Sequence, residues 1–441
     1  MDGMINLVQV NDLIDDRPDE NIFRVDRDIY LDKDIFEAEL RTIFEADWIF
    51  LCHESQVKNP GDYFAAHIGR QPVFVHRQED GSLKGFLNAC SHRAAIITPL
   101  QHGNAKTLTC RFHGWTYKCD GACIGVKEEE TGYGKDFDRS AFDLTQIGAI
   151  GSYKGFVFGS LKAGVASLED FLGESKSFID FVADQSAAGL EVLPGSQKYV
   201  VGGNWKMSTE NAVDGYHTST VHRIFASTVK QREAREGYEG MMKTETGRLA
   251  KKTVRNGCYD LGQGHMVIWA ERDPVSTSPL SEAEGRLEKD HPTGKVDWML
   301  RRGRNLIIFP SLMINDFAAT QIRTFRPISA DETEVTIYCL APSEESRDAR
   351  YARLRKFEDF FMASGMATSD DVIALEATHD GSRGRVAQWG EFHRGQGTMV
   401  QGPDDVAEAG GFNPETSNSS WDHETLYYSF YRRWRDHISG S

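Results

Sequence analysis

The sequence predicts an α+β chain in which a β-rich segment is set between helical ones, and three observations carry that reading. Apolar residues recur at helical spacing near both ends of the chain. Between 45 and 162, short alternating runs are joined by Asp-Gly turns. Between 305 and 342, three strand-like runs follow one another with brief interruptions.

In chain order, DIYLDKDIFEAELRTIFEADWIFL (28–51) reads as a helix, with Ile35, Leu40, Ile43 and Phe44 on one stripe. QPVFVHR and LKGFLNA flank Asp80-Gly81, and Gly81 supplies the positive φ that a tight hairpin turn requires. TLTCRFHGWTYKCDGACIGV (107–126) repeats the device at Asp120-Gly121, and SYKGFVFGSL (152–161) reads as a strand. Helical texture returns over 167–186, and YVVGGNWKMSTENAVDGYH passes from strand to helix near Trp205. NLIIFPSLMIN, AATQIRTFRPIS and TEVTIYCLAP read as consecutive antiparallel strands. Helices are expected over 347–364 and 421–438, and 403–420 reads as loop. The division expected is a helical part over 1–44, a β-rich domain over 45–162 and a second large domain over 163–441.

The chain has 441 residues and a formal net charge of −16, a balance that argues against gripping a nucleic-acid backbone. No apolar run is long enough for a membrane span, and MDGMINLVQVNDLIDD has neither the basic nor the apolar region of a secretory signal. A cytoplasmic protein is expected, its seven cysteines being free thiols or metal ligands rather than disulfides. Cys119 and Cys123, around the CDGAC turn, read as structural.

NACSHRAA and LTCRFHGW together give C-x-H, 17 residues, then C-x2-H, from Cys90, His92, Cys110 and His113. Two thiolates and two imidazoles can hold a tetrahedral zinc, or a [2Fe–2S] cluster of Rieske type with two Cys on one iron and two His on the other. Each loop here offers one Cys and one His, so each can touch both irons, which favours the cluster. Further along, NAVDGYHTSTVH holds Asp214, His217 and His222. Two His and a carboxylate with open positions beside them form the facial triad of non-haem Fe(II) oxygenases. On an ideal helix, residues five apart diverge by about 140°. The segment between the two histidines must therefore bend, and Gly215 and Thr218-Ser219-Thr220 tolerate that.

With FHGW in its second loop, the first pattern resembles the Rieske domain of the aromatic-ring-hydroxylating oxygenases. It departs from the family at Arg111, where Pro is frequent, and at Ala94, where Gly is frequent. The resemblance implies a Rieske [2Fe–2S] domain inserted into a helix-grip (START/Bet v1-like) catalytic domain built on an antiparallel sheet. It matches the third iron ligand to Asp371 in GMATSDDV, with Asp370 adjacent and Asp214 a candidate by proximity. It gives Asp214 another role, hydrogen-bonding His217 and bridging to His113 of a neighbouring subunit, and it places Asn211 near the iron.

HESQ, IGRQP, GNWK, RPIS, EVTIYC and GPDD extend the similarity to the benzoate and toluate branch of the large α subunits. That branch implies cis-dihydroxylation of a small aromatic acid by O2. NADH-derived electrons would arrive through a separate flavin and iron–sulfur reductase or a ferredoxin, and an α trimer would assemble with a small β subunit. No G-x-G-x-x-G follows a strand here, consistent with a separate reductase. A monohydroxylating salicylate- or anthranilate-type enzyme is the alternative; an electron carrier or zinc-stabilised binding protein is the alternative of another class. MLRRGRN (299–305) reads as a solvated or interface surface, and its arginines and Arg323 are the candidates for binding a carboxylate, with no choice between them. Ala212, Gly215, Thr218, Ile314 and Val372 are expected beside the substrate.

Overall fold

The Asp-Gly turn at Asp80-Gly81 does what its residues dictate: Gly81 takes φ +84° and strands Gln71–Arg77 and Leu83–Leu87 pair antiparallel across it. The computed structural model describes residues 10–233, 254–272, 280–317 and 319–440. It divides into two compact units, one spanning Leu40–Phe171 and the other formed by the chain up to Glu39 and from Leu172 onwards.

In the 40–171 unit, Asp62–Ile68, Gln71–Arg77, Leu83–Leu87 and His102–Asn104 form one antiparallel sheet. Thr107–Thr109, Thr116–Lys118 and Cys123–Gly125 form a second. A third joins Ile49–His53, Ala149–Tyr153 and Phe156–Ser160. Two expectations change here. The helix predicted over 28–51 gives way beyond Phe44, and Ile49–His53 is a strand paired with Phe156–Gly159. A short apolar run has no periodicity of its own, so its partner decides its form. The strand predicted over 152–161 is the end of a hairpin, turned at Lys154 (φ +50°) and Gly155 (φ +90°).

The larger unit is built on a ten-stranded antiparallel sheet. Its strands are β1 (Leu190–Val192), β2 (Gln197–Val201), β3 (Asn256–Asp260), β4 (Met266–Glu271), β5 (Arg302–Ile308), β6 (Leu312–Asn315), β7 (Gln321–Ser329), β8 (Glu332–Pro342), β9 (Val400–Gln401) and β10 (Thr416–Asn418). The order is β1-β8-β7-β6-β5-β4-β3-β10-β9, with β2 also on β8. The three runs predicted between 305 and 342 are four strands, because the first breaks at Phe309-Pro310. The loop expected over 403–420 contains a helix at Asp405–Gly410, capped by the Asp404 side chain, as well as β10.

Helix α1 (Trp205–Ala212) begins where expected, because Asn204 caps it by accepting from Lys206 N at 3.1 Å. It packs on β5, β7 and β8. Helix α2 (Thr368–Ser382) carries the TSDDV motif in its first turn. The aromatic stripe of α3 (Tyr427–Ser439) is core: Tyr427, Phe430, Tyr431 and Trp434 are at most 3% exposed. Under it, the Trp434 and Trp205 indoles donate to buried Glu39, which also pairs with buried Lys206. Every strand pairing among the described residues is antiparallel, all sheets are open, and no described helix is long and apolar enough to cross a membrane.

Candidate metal centres

The two Cys/His loops share one backbone design. In each, the Cys carbonyl accepts from the residue four positions on: Ala94 N to Cys90 O at 2.8 Å, and Gly114 N to Cys110 O at 2.9 Å. Each Cys N–H is tied five positions on, to Ala95 O and Trp115 O. The fourth-on residue has positive φ in both, +56° at Ala94 and +77° at Gly114. Cys90 and Cys110 are buried with Trp115 and Tyr117, and the Tyr117 hydroxyl lies 3.2 Å from Cys90 Sγ. The His92 and His113 rings are 4.6 Å apart, His92 stacked on the Trp115 indole. His92 Nδ1 is buried without a hydrogen-bond partner, as a metal-binding nitrogen would be. Arg93 contacts His113 Nε2 and lies over the Phe112 ring. All seven cysteines are free.

The second centre depends on where α1 stops. Gly215 N donates to Trp421 O at 3.2 Å, and a Cβ on Gly215 would stand 2.5 Å from that oxygen. The chain then makes a single helical turn, Thr218–Val221, with His217 at its start and His222 at its end. The bend demanded by the spacing is therefore present, and the two imidazoles converge. His217 Nε2 lies 3.2 Å from His222 Nε2. Asp371 Oδ1, from the first turn of α2, lies 3.4 Å from the former and 3.2 Å from the latter. Donors held at about 2.1 Å by one divalent ion, at angles near 90–100°, stand about 3.0–3.2 Å apart. The Asp371 Oδ1 atom is buried and lacks a hydrogen-bond donor, so the three atoms fit a mononuclear iron site.

Asp214 stands behind His217, its Oδ2 3.2 Å from His217 Nδ1, while its Oδ1 accepts from Tyr216 N at 2.7 Å. Burial alone would lower the His217 pKa, but the Asp214 and Asp371 carboxylates outweigh it and hold the imidazole up at about 10. Burial dominates at His222, whose pKa is lowered. Phe360 packs 6.1 Å from the His222 ring and 5.0 Å from Phe225.

Of the sequence candidates, His217, His222 and Asp371 meet; Asp370 is next to Asp371 but outside the three-donor set. Asn211 sits on the last turn of α1, partly buried, its backbone carbonyl accepting from Asp214 N at 3.3 Å. Ile314 is turned away from α1: it pairs with Leu306 and Ile322, on the opposite face of the sheet from Asn305, which donates to Ala212 O at 2.9 Å. Trp421, which pins Gly215, went unseen in the sequence, because an aromatic far along the chain carries no sign of what its carbonyl touches. His265 and His379 are ordinary buried polar positions, the first accepting from Phe309 N and the second bonded to Asp331.

Known proteins resemble this chain over most of its length. Residues 47–143 match the Rieske [2Fe-2S] domain, and residues 191–440 match the ring hydroxylating alpha subunit (catalytic domain). The toluate 1,2-dioxygenase subunit alpha of Pseudomonas putida is 39% identical over 98% of this chain and 95% of its own. The 2-halobenzoate 1,2-dioxygenase large subunit of Burkholderia cepacia and the anthranilate 1,2-dioxygenase large subunit of Acinetobacter baylyi are each 38% identical, over 97% of this chain and 92% of theirs. Naphthalene 1,2-dioxygenase with bound indole superposes with a TM-score of 0.81 at 26% identity, covering 94% of this chain and 92% of that one. Each metal motif falls within the family segment whose chemistry requires it, and the chain belongs to the ring-hydroxylating dioxygenase alpha subunits, oxidoreductases that pair a Rieske [2Fe–2S] domain with a non-haem iron catalytic domain.

Proposed function

We propose that the protein is the terminal oxygenase subunit that cis-dihydroxylates an aromatic acid of the benzoate type, with O2 and electrons passed from NADH by a separate reductase. The observation that carries this reading is the three-atom convergence of His217, His222 and Asp371. Its support for substrate class is the likeness to toluate and halobenzoate dioxygenases. Cys90, His92, Cys110 and His113 would hold the cluster, and His217, His222 and Asp371 the iron. Iron held there would supply O2 activation.

The chain's own residues do the rest. Asp214 Oδ2, 3.2 Å from His217 Nδ1, would orient the ring so that Nε2 points at the donor set. In an α trimer with a small β subunit, the same carboxylate would also meet His113 of a neighbouring copy, giving electrons a short route between centres. Phe360, packed on Phe225, forms an apolar wall beside His222. A cytoplasmic setting suits an NADH-fed reductase.

The test is single turnover. Iron-replete protein is reduced, then given O2 with benzoate, toluates, halobenzoates, anthranilate and salicylate in turn. A cis-diol from a benzoate is expected; no product from any aromatic acid would overturn the reading. The likeness to anthranilate dioxygenase, 38% against 39% for the toluate enzyme, supports a second reading, in which anthranilate or salicylate is hydroxylated and a catechol or phenol appears instead.

A further inference from the structure

Four arginines, Arg301, Arg302, Arg304 and Arg323, compete for a substrate carboxylate, and the sheet sorts those on its strands by face. Along β5, side chains alternate. Arg302 and Arg304 point to one side. There Arg304 donates to Phe181 O at 3.1 Å and pairs with Asp316 at 2.7 Å, and Arg302 lies over the Trp298 and Trp269 rings. Arg301 is paired with Asp297, Glu284 and Glu288. These guanidiniums have their counter-charges or rings, and none faces α1.

Asn305 and Ile307 point to the other side, where Asn305 donates to Ala212 O on α1. The register carries that face across the sheet: Asn305 to Asn315 to Gln321, and Ile307 to Met313 to Arg323. Arg323 is 8% exposed, and among the described residues its Nε has no partner and its guanidinium makes one hydrogen bond, a long 3.4 Å contact to Phe361 O. No carboxylate pairs with it among the described residues. Gln321, fully buried two residues away on the same face, has neither amide atom bonded. Ser208 Oγ on α1 is likewise buried and unbonded.

Arg302 and Arg304 also keep an unbonded Nε, but each has a counter-charge or a ring, whereas on this face a guanidinium without a carboxylate lies beside an unbonded amide, the arrangement that suits a polar ligand group. The face adjoins the three-donor set: Phe361 O also accepts from Thr368 on α2, three residues before Asp371. Tyr199, on the same face through Val335 and Phe325, is pushed up first by burial, and feels the Arg323 cation and the Asp371 carboxylate in opposite senses.

We propose that Arg323, with Gln321 beside it, receives the carboxylate of the aromatic acid, and so sets the preference for acids over neutral arenes. A guanidinium fork matches the two carboxylate oxygens, and the amide N–H adds a third donor. This rests on the aromatic-acid reading above.

Equilibrium binding to the holoenzyme, by calorimetry with benzoate and its neutral isostere benzamide, tests it. The parent is expected to bind benzoate more tightly. In Arg323→Met the benzoate affinity should fall about 10- to 100-fold while benzamide changes less than about threefold, collapsing the preference. Arg323→Lys should lie between, and it carries the test if the Met variant does not fold, as judged by circular dichroism and cluster absorbance. An unchanged benzoate-to-benzamide ratio in a folded variant overturns the anchor alone. A parent that binds a neutral arene but no aromatic acid overturns the substrate reading, and the anchor with it.

Discussion

His217 Nε2 and His222 Nε2 lie 3.2 Å apart, although an unbroken helix would turn side chains at that spacing about 140° from each other. The convergence exists because α1 ends before Gly215 and restarts as a single turn after His217. His222→Ala or Asp371→Ala therefore removes one of three donors and should release the mononuclear iron while leaving the Rieske cluster intact. Iron analysis together with the visible spectrum checks this: iron should fall, and the cluster bands should persist. Loss of both together would break the assignment of separate centres.

Asp214 touches His217 through Nδ1, the nitrogen turned away from the donor set. Asp214→Asn should keep both metals and lower turnover by about 10- to 100-fold or more, as removal of a ligand's orienting carboxylate does. Single-turnover product yield, measured beside iron content, checks it. Turnover like the parent's would leave the carboxylate without the orienting or bridging role.

Ala94 occupies a left-handed position, φ +56°, where the matching loop has Gly114. A Cβ there costs roughly 1 kcal/mol relative to glycine. Ala94→Gly is expected to stabilise the loop by about that amount, read as a later thermal bleaching of the cluster absorbance. An earlier bleaching would mean that the Ala94 methyl packs favourably enough to outweigh the strain.

Asp260, at the end of β3, accepts from Gly262 N, Ser429 N and Ser429 Oγ, yet burial holds its carboxyl up at about 7. Glu415 adds to the rise, and Arg432 lies on the same helix as Ser429. In the unfolded chain the group titrates near 3.9, so between about pH 4 and 7 the native state keeps a proton that the unfolded state has lost. Stability from this group is full below that window and falls as pH rises through it. Asp260→Asn stays neutral, so its stability relative to the parent should improve from pH 5 to 8, on the order of 3 kcal/mol. Melting temperatures of both proteins at the two pH values test the sign.

The four Cys/His positions and the two iron-site histidines were legible in the sequence because their spacing is local, whereas Asp371, far along the chain, came only from the family resemblance. C-x-H, C-x2-H and His217 with His222 are fixed by spacing within a turn or two, and Gly81 announces its hairpin. What depended on distant partners was not legible. Ile49–His53 became a strand because Phe156–Gly159 lies beside it, and Gly215 is held by a carbonyl roughly 200 residues on. The choice between Arg304 and Arg323 could not be made from residue type, since it turns on the face each strand presents after pairing. Even the Lys154-Gly155 turn was hidden inside an apolar run that reads as continuous.

The alternation along β5 has a consequence for how such an enzyme can change. Arg302 and Arg304 bind the scaffold on one side of the sheet, while Asn305 and Ile307 look towards α1 on the other. Because neighbouring residues serve opposite sides, substitutions at alternate positions can explore new substrates without disturbing the supporting ion pairs. A single inserted or deleted residue would exchange the two sides at once. Variation in this wall should therefore accumulate as replacements, and length changes should be confined to the turns that join its strands.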